Sequence, residues 1–521
     1  MTSKDKNTIL NEALKYHHEG KLAEADNLYL KVLSLDKNDF NANHLHGCIL
    51  SQRNNYEDAI KFITRAVEVI PSNYEANNNL GIAYKNLKDK ANAEKYFHRA
   101  IDIDQTNYKS YFNCANLYSD VNQFDKSIEY LKSAVKYAPD NTDVKHRLGE
   151  VYQYKYQEQR DKNNLRLAEE CFLDVIKLND TYVNAYIMLG VTYLWLEKIQ
   201  ESNNMFKSAH TLIHKNKDQI NFNINKYLDN KKSLETFIKH EYEQLTFIDS
   251  DMDEIRNPKF TQEYYNHLKE LYLKVESNSF ETSDISLSFK KEMFKVLYNK
   301  PPKIRSDHYI NQSINHDQIQ KNYLENNPEL VVIDDFLQKE QLSELQKYCR
   351  NANIFKYPYQ MGYVAAFLSK GMSSEFFLNL SEDLRKTFNL IFKNYQLTQA
   401  WIFKYENNTE GTKIHADQAS INVNFWITPD EANLSKESGG LVIWNKLPPS
   451  NWSFNDYNSV QSLEKIEKML DSEGIEKKVI PYKENRCVIF NSKLFHCTDK
   501  FNFEKSYPHR DRKSTRLNSS H

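Results

Sequence analysis

"ANNNLGIAYKNLKDKANAEKYFHRA", residues 76–100, carries four positions that return along the chain. Its glycine belongs to a set at 47, 81, 149 and 190, spaced by 34, by 68 (twice 34) and by 41. Ala115 fills the skipped slot. Three residues beyond each slot stand Leu50, Tyr84, Tyr118, Tyr152 and Tyr193. A third column runs Ala25, Ala59, Ala93, Ser127, Ala168 and Ser202, and a fourth runs Ala66, Ala100, Ala134, Val175 and Ala209. Pro71 and Pro139 close two of the units. Small residues let two antiparallel helices approach closely, while Tyr, Phe and Leu fill the gaps between successive pairs. Such a unit cannot bury its apolar face alone, so neighbours stack into a superhelix. Unrelated amphipathic helices would not hold register over so many units. The 41-residue gap reads as one unit with extra residues, "QYKYQEQRDKNN", between its two helices.

The pattern resembles the tetratricopeptide repeat, in about six units over residues 7–212. It predicts an all-α solenoid for 1–212. Solenoids of this type present a concave groove to a protein or peptide partner. Asn77, Asn78 and Asn79 fall on the first helix of a unit. They read either as donors to an extended peptide backbone or as solvent-facing polar residues, and the second reading is the simpler.

A chain of 521 residues exceeds one ordinary core, so several domains are expected. A formal net charge of −2 gives no support for nucleic acid or an anionic membrane as partner. No run approaches the ~18 apolar residues of a membrane span. The opening "MTSKDKNTILNEALKYHHEG" has no apolar run of the secretory kind. The six cysteines are scattered, without a Cys-x-x-Cys pair. Together these features predict a cytoplasmic protein with reduced thiols.

From 213 to about 300 the helical period continues without the repeat register, so 213–327 is expected to be a helical cap and linker. "PPKIRSDHYINQSINHDQ" (301–318) breaks helix and marks the boundary; its His308 and His316 read as exposed loop residues. After 328 the pattern changes to short β-branched and aromatic runs. These are "PELVVIDDFL" (strand then turn), "MGYVAAFLS", "LTQAWIFKYE", "ASINVNFWIT", "GGLVIW", "KKVIPY", "RCVIF" and "SKLFHCT", with two amphipathic helices among the first of them. Six of the seven glycines outside the repeat slots lie between 362 and 474, where turns need them. Many short strands without βαβ alternation predict an α+β barrel or sandwich with helical support over 328–510.

Within it, "TKIHADQASINVNFWI" (412–427) sets His415 and Asp417 two residues apart at the start of a strand, where i and i+2 face the same way. A bare His-x-Asp triplet is weak: His17 and Glu19 make a decoy on the first helix. A third ligand must come from another strand, and His496 in "VIFNSKLFHCTD" is placed to supply it. Two imidazoles and one carboxylate on one face of a metal leave open positions, the arrangement of non-haem Fe(II) oxygenases. Zinc is more often held in a closed tetrahedral set. Cys497, next to His496, points to the opposite face of its strand and is a poor ligand.

The stretches "FKYENNTEGTKIHADQASINVNFWITPDEANLSKESGGLVIWN" and "ENRCVIFNSKLFHCTDKFNFEKSY" closely resemble a bacterial family of 2-oxoglutarate/Fe(II)-dependent oxygenases, whose members often carry tetratricopeptide repeats. The resemblance spans about 328–510. It implies a double-stranded β-helix (jelly-roll), Fe(II) at His415, Asp417 and His496, and 2-oxoglutarate and O2 consumed as a prime substrate is hydroxylated. Trp401, Phe403 and Tyr405 would line such a cavity or form the barrel core, with core the simpler reading. Family members continue into a last strand whose arginine binds the distal carboxylate of 2-oxoglutarate. Arg510 matches the first arginine there, but Asp511 stands where the second belongs. The final residues 511–521, "DRKSTRLNSSH", lack an apolar period and resemble an in-frame sequencing-library adapter. They are expected to stay unpaired, with the natural chain truncated at about Arg510.

The leading expectation is thus a dioxygenase with a repeat domain that recruits protein. The alternative is a non-catalytic scaffold with a degenerate barrel. A sugar transferase behind the repeats is disfavoured, because no glycine-rich nucleotide-binding crossover follows them.

Overall fold

Asp39, Asn73, Asn107 and Asn141 recur every 34 residues. Each caps a helix by accepting a hydrogen bond from a backbone N–H two or three residues on, at Ala42, Ala76, Lys109 and Val144. Asn55, Asp89 and Asp161 cap the second helices of three units in the same way. These caps punctuate a series of antiparallel pairs. The pairs are α1 (Ser3–His18) with α2 (Leu22–Leu35), α3 (Phe40–Gln52) with α4 (Tyr56–Val69), and α5 (Tyr74–Asn86) with α6 (Lys90–Ile103). Then follow α7 (Tyr108–Ser119) with α8 (Phe124–Tyr137), and α9 (Thr142–Gln159) with α10 (Lys162–Leu178). The computed structural model describes residues 3–215, 230–251, 262–296, 299–406, 408–409, 411–452, 454–458, 462–505, 507 and 516–520. It divides at 180/181 into two compact units.

In the first unit the small-residue columns do the work expected of them. The alanines of both columns are fully buried. A Cβ on Gly47 would stand 2.5 Å from Ile63 Cγ1, on Gly81 2.6 Å from the Phe97 ring, and on Gly149 2.7 Å from the Phe172 ring. Where serine replaces alanine at 127, its hydroxyl donates to the Ala115 carbonyl at 2.8 Å, so the buried group is satisfied. The seven added residues do not form a loop between helices, as the sequence suggested. They lengthen both, to 18 residues in α9 and 17 in α10 against 13 in α5 and 14 in α6. The hairpin then turns at Arg160, φ 58°. Extending two hydrogen-bonded helices in step satisfies every added backbone group, which a loop would leave to solvent.

The second unit begins with a sixth pair, α11 (Val183–Trp195) and α12 (Ile199–Lys215). It keeps the repeat geometry: Ser202 Oγ donates to the Gly190 carbonyl at 2.7 Å, and a Cβ on Gly190 would meet Phe206 at 3.0 Å. Trp195 Nε1 donates to the Leu397 carbonyl at 2.8 Å, tying this pair to the strands that follow. The helix Lys231–Asp251 is fixed as firmly. Its fully buried Glu241 meets Lys356 Nζ at 2.6 Å and Asn353 Nδ2 at 2.9 Å. Burial pulls the Lys356 ammonium pKa down while the Glu241 charge holds it up. The stretch 301–318, largely exposed, is anchored at its middle, where buried Tyr309 and Ile310 donate their N–H groups to Asp383 at 2.6 and 2.9 Å. So the described parts of 213–327 are built into the second unit. His308 lies exposed 3.6 Å from Asp383, whereas His316 bonds the Asn311 carbonyl at 2.9 Å and meets Phe388 edge-on.

Twelve described strands follow: β1 (Leu330–Ile333), β2 (Tyr357–Tyr359), β3 (Tyr363–Phe367), β4 (Gln396–Tyr405), β5 (Asn408–Thr409), β6 (Ile421–Phe425), β7 (Leu441–Trp444), β8 (Lys477–Ile480), β9 (Cys487–Asn491), β10 (His496–Thr498), β11 (Phe501–Asn502) and β12 (Arg516–Ser520). One antiparallel sheet has the order β1-β9-β6-β12-β4-β3-β2, a second β10-β7-β8, and β11 pairs with β5. Leu441, Ile443 and Ile480 from the small sheet share one apolar cluster with Tyr405, Val488 and Phe490 from the large one. Gly439 takes φ 82°, and Gly440 lies so close to the Ile480 carbonyl that no side chain fits. No described helix is long and apolar enough to cross a membrane.

The tail corrects an expectation. Residues 516–520 are not left unpaired. They lie between β4 and β6 as β12, with Leu517 opposite both Ala400 and Val423. Ladder bonds use the N–H and C=O common to all residues, so a slot between two strands accepts an extended segment whatever its side chains.

Gly81→Ala is expected to destabilise by ~1–3 kcal/mol through overpacking, and adding Phe97→Leu to recover part of it, read by urea unfolding. Residues 1–180 should unfold cooperatively as an almost wholly helical fragment. A fragment ending at 300 strands Glu241 without Lys356 and should lose cooperativity beyond residue 180; equal cooperativity in both would contradict this division.

Candidate metal centre

His415 and Asp417 precede β6 rather than sit on it. His415 forms an isolated antiparallel bridge with His496: its N–H donates to the His496 carbonyl at 3.0 Å, and its carbonyl accepts from the His496 N–H at 2.8 Å. Asp417 N–H donates to the Ser492 carbonyl at 2.9 Å. Three backbone bonds thus bring residues 81 apart in sequence face to face, with the imidazole centroids 4.4 Å apart. One potential ligand atom from each of His415, Asp417 and His496 lies within 4.8 Å of the others. The Asp417 carboxylate is 3.9 Å from His415 Nε2 and 3.5 Å from His496 Nε2.

Both imidazoles are oriented by the chain itself. His415 Nδ1 lies 2.8 Å from the Lys413 carbonyl, and His496 Nδ1 2.8 Å from the Leu494 carbonyl. A carbonyl only accepts, so each Nδ1 carries a proton, which in the neutral ring leaves Nε2 the lone pair. That is the tautomer a metal needs, with the second ring nitrogen held by its own hydrogen bond. Asn422 Nδ2 donates to Asp417 Oδ2 at 2.6 Å, fixing the carboxylate rotation. His496 is fully buried, and its Nε2 has no hydrogen-bond partner among the described residues.

The sequence reading missed the insertion between β7 and β8. Its short helix Phe454–Asn458 lies over the ligand loop, where Asn458 Nδ2 donates to the carbonyl of Ala416 at 3.2 Å. Burial, and then the Asp417 charge, push the nearby Tyr457 phenol above its ordinary value. Asn422 was missed as well: in "INVNF" it stands in a polar phase alternating with Ile421, Val423 and Phe425, as in a strand with one solvent face, yet both phases are buried.

The aromatic candidates on β4 divide. Tyr405 belongs to the apolar cluster between the sheets, with Phe403 packed against it. Trp401 is buried too, but its indole Nε1 has no partner among the described residues. Arg510 lies outside the described residues; the arginine the described tail sets in register is Arg516, opposite Trp401. The decoy His17 meets the Tyr29 hydroxyl at 3.2 Å, far in sequence from the other two ligand types.

In the repeat array, Asn77 and Asn78 are buried and Asn79 half-buried, and all three bond within the array. Asn77 Nδ2 staples its own turn, donating to the Pro71 and Asn73 carbonyls at 3.1 and 2.7 Å. Asn43 does the same one unit earlier, to Lys37 and Asp39. Asn78 Oδ1 accepts from Ser110 and Asn113 of the next unit, and Asn79 Nδ2 bonds His44 of the previous one at 3.0 Å. Arg147 continues the ladder to Asn116 and Ser119 at 2.9 and 3.0 Å. These polar residues hold the stacking register between units.

Residues 40–73, 74–107 and 108–141 match the tetratricopeptide repeat family. No curated protein matches the chain in sequence. Among solved structures the chain is similar to YrrB, described as a TPR protein with an unusual peptide-binding site, at 21% identity over 35% of this chain and 91% of that one, TM-score 0.30. It is also similar to MamA from Desulfovibrio magneticus RS-1, at 19% over 35% and 98%, TM-score 0.31. A third is PilW, a type IV pilus biogenesis factor, at 16% over 42% and 98%, TM-score 0.37. The capped 34-residue pairs and the family match together identify residues 40–141 as tetratricopeptide repeats.

Proposed function

We propose that the chain is an Fe(II)- and 2-oxoglutarate-dependent dioxygenase, a hydroxylase whose tetratricopeptide repeats bind a protein or peptide. The observation that carries this reading is the buried Nε2 of His496, without a hydrogen-bond partner among the described residues and aimed with His415 at the Asp417 carboxylate. A buried polar atom left without a bond costs about 1–3 kcal/mol, so a site that keeps one beside a carboxylate and a second imidazole fits a cation. The donor set, two neutral imidazoles and one carboxylate, suits Fe(II) with open positions better than a closed zinc site. The resemblance of 328–510 to such oxygenases, and two antiparallel sheets enclosing one core as in a double-stranded β-helix, support the same reading.

In it, Fe(II) with 2-oxoglutarate and O2 supplies the oxidising chemistry. The protein's own residues have defined tasks. His415, Asp417 and His496 would hold the ion; the Lys413 and Leu494 carbonyls keep the ring tautomers; Asn422 keeps the carboxylate turned. Asn458 steadies the loop through Ala416. The apolar walls of Phe403, Tyr405 and Phe490 exclude water from the enclosed face. Tetratricopeptide repeats serve protein interaction, and the array would bring a protein substrate to the site. The scaffold reading rests on the same repeats, and it is the one that failure of the following assay would favour.

Full-length protein should convert 2-oxoglutarate to succinate only with Fe(II) present. His496→Ala and His415→Ala should abolish this, and Asp417→Ala should reduce it nearly as far, because two ligands do not retain an ion in an open site. His17→Ala should be silent. Turnover unchanged in His496→Ala would remove the assignment.

A further inference from the structure

The phases of β6 and β9 separate the two faces of the large sheet. Asn422 and Phe490 turn toward the triad, the first through its bond to Asp417, the second through a ring contact with His496 at 5.0 Å. Ile421 and Asn491, paired with each other, therefore face the other way. On that outer face lies a cavity of about 340 Å³, walled by these two residues, the helix His316–Glu325, the short helix Asn389–Phe392 and the turns that follow Phe392 and Asn491.

Its wall has two kinds of chemistry. Leu324 and Leu390, from the two helices, line it and remain 56% and 52% exposed. Apolar surface left in water beside polar groups marks a surface that another molecule covers. The same wall carries Lys393 and Lys493, both exposed, and neither is paired with a carboxylate among the described residues. The carboxylate that lines it, Glu329, is already engaged: its Oε2 accepts from Asn491 Nδ2 at 2.9 Å. Tyr323 is 4% exposed, and its hydroxyl bonds no described residue. Burial first, and then the Glu329 charge, push this phenol above its ordinary pKa, so it stays a donor.

These donors call for an anion. Two ammoniums beside one carboxylate are too few charges for a nucleic-acid backbone, which carries one negative charge per ~1.7 Å. A free small anion would satisfy the lysines and leave both leucines in water. A peptide can do both, because its acidic and apolar side chains are offered together along one strand of chain.

We propose that this cavity docks a protein partner through a short acidic segment, which sets one apolar side chain against Leu324 and Leu390 and its carboxylates on Lys393 and Lys493. The surface belongs to the second unit. It goes beyond the proposed function and stands without it, since the face it uses is turned away from the triad.

Fluorescence anisotropy of the full chain with labelled Glu-Glu-Leu-Glu-Glu tests this, with Glu-Glu-Ser-Glu-Glu and Lys-Lys-Leu-Lys-Lys as comparators. The first peptide should bind roughly tenfold more tightly than either comparator, as expected for one buried leucine or for reversed charge. Its affinity should fall as salt rises. Lys393→Glu and Lys493→Glu should each weaken it roughly tenfold, by losing an attraction and adding a repulsion. Neither should lower the melting temperature, because both side chains are exposed and without an ion pair among the described residues. No binding in the wild type, equal binding of a comparator, or unchanged binding in both lysine variants would overturn the proposal. Octanoate displacing the peptide as well as the unlabelled peptide does would overturn it too, in favour of a free small anion.

Discussion

Two backbone hydrogen bonds between His415 and His496, at 3.0 and 2.8 Å, are the constraint from which the rest of the site follows. They join the segment leading into the large sheet to a strand of the small one. With that bridge made, Asp417 reaches the Ser492 carbonyl, the imidazoles meet, and β6 enters the large sheet with Asn422 beneath the carboxylate. The side-chain geometry is then set by short local contacts. Each ring is held by the carbonyl two residues before it, Lys413 for His415 and Leu494 for His496. Such i−2 bonds need no distant partner, so the tautomers are settled once the extended backbone forms. Only the carboxylate needs help from elsewhere, and Asn422 supplies it.

The repeat columns were legible because one contact dictates them. A Phe ring or an Ile side chain packed across a helix pair leaves no room for a Cβ at Gly47, Gly81 or Gly149, so the glycine survives as a readable mark. The caps at 39, 73, 107 and 141 carry the same period and could have been read beside it. Asn77, Asn78 and Asn79 could not, since their partners stand 31 to 35 residues away or behind their own turn and nothing local distinguishes them from surface amides. The limits of the array were obscured for a related reason. The sixth pair keeps the repeat pattern but also bonds to Leu397, a contact its own sequence does not encode.

In the second unit, alternation exposed the strands, the His-x-Asp triplet offered two candidate ligands, and His496, on another of those short strands, offered the third. What stayed hidden depends on which face of a strand is enclosed. Asn422 and Asn424 look like the solvent phase of an ordinary strand until a second sheet covers them. The tail was misjudged by its side chains. An open pair of strand edges at β4 and β6 selects for extended backbone, which "RLNSS" provides.

The central claim is that His415, Asp417 and His496 hold a divalent cation, and its most direct test is an electron paramagnetic resonance titration of the full chain with Mn(II). The account predicts that the free-ion signal is suppressed up to one equivalent per chain in the wild type and appears from the first addition in His496→Ala. Equal suppression in both proteins, or none in the wild type, would contradict it.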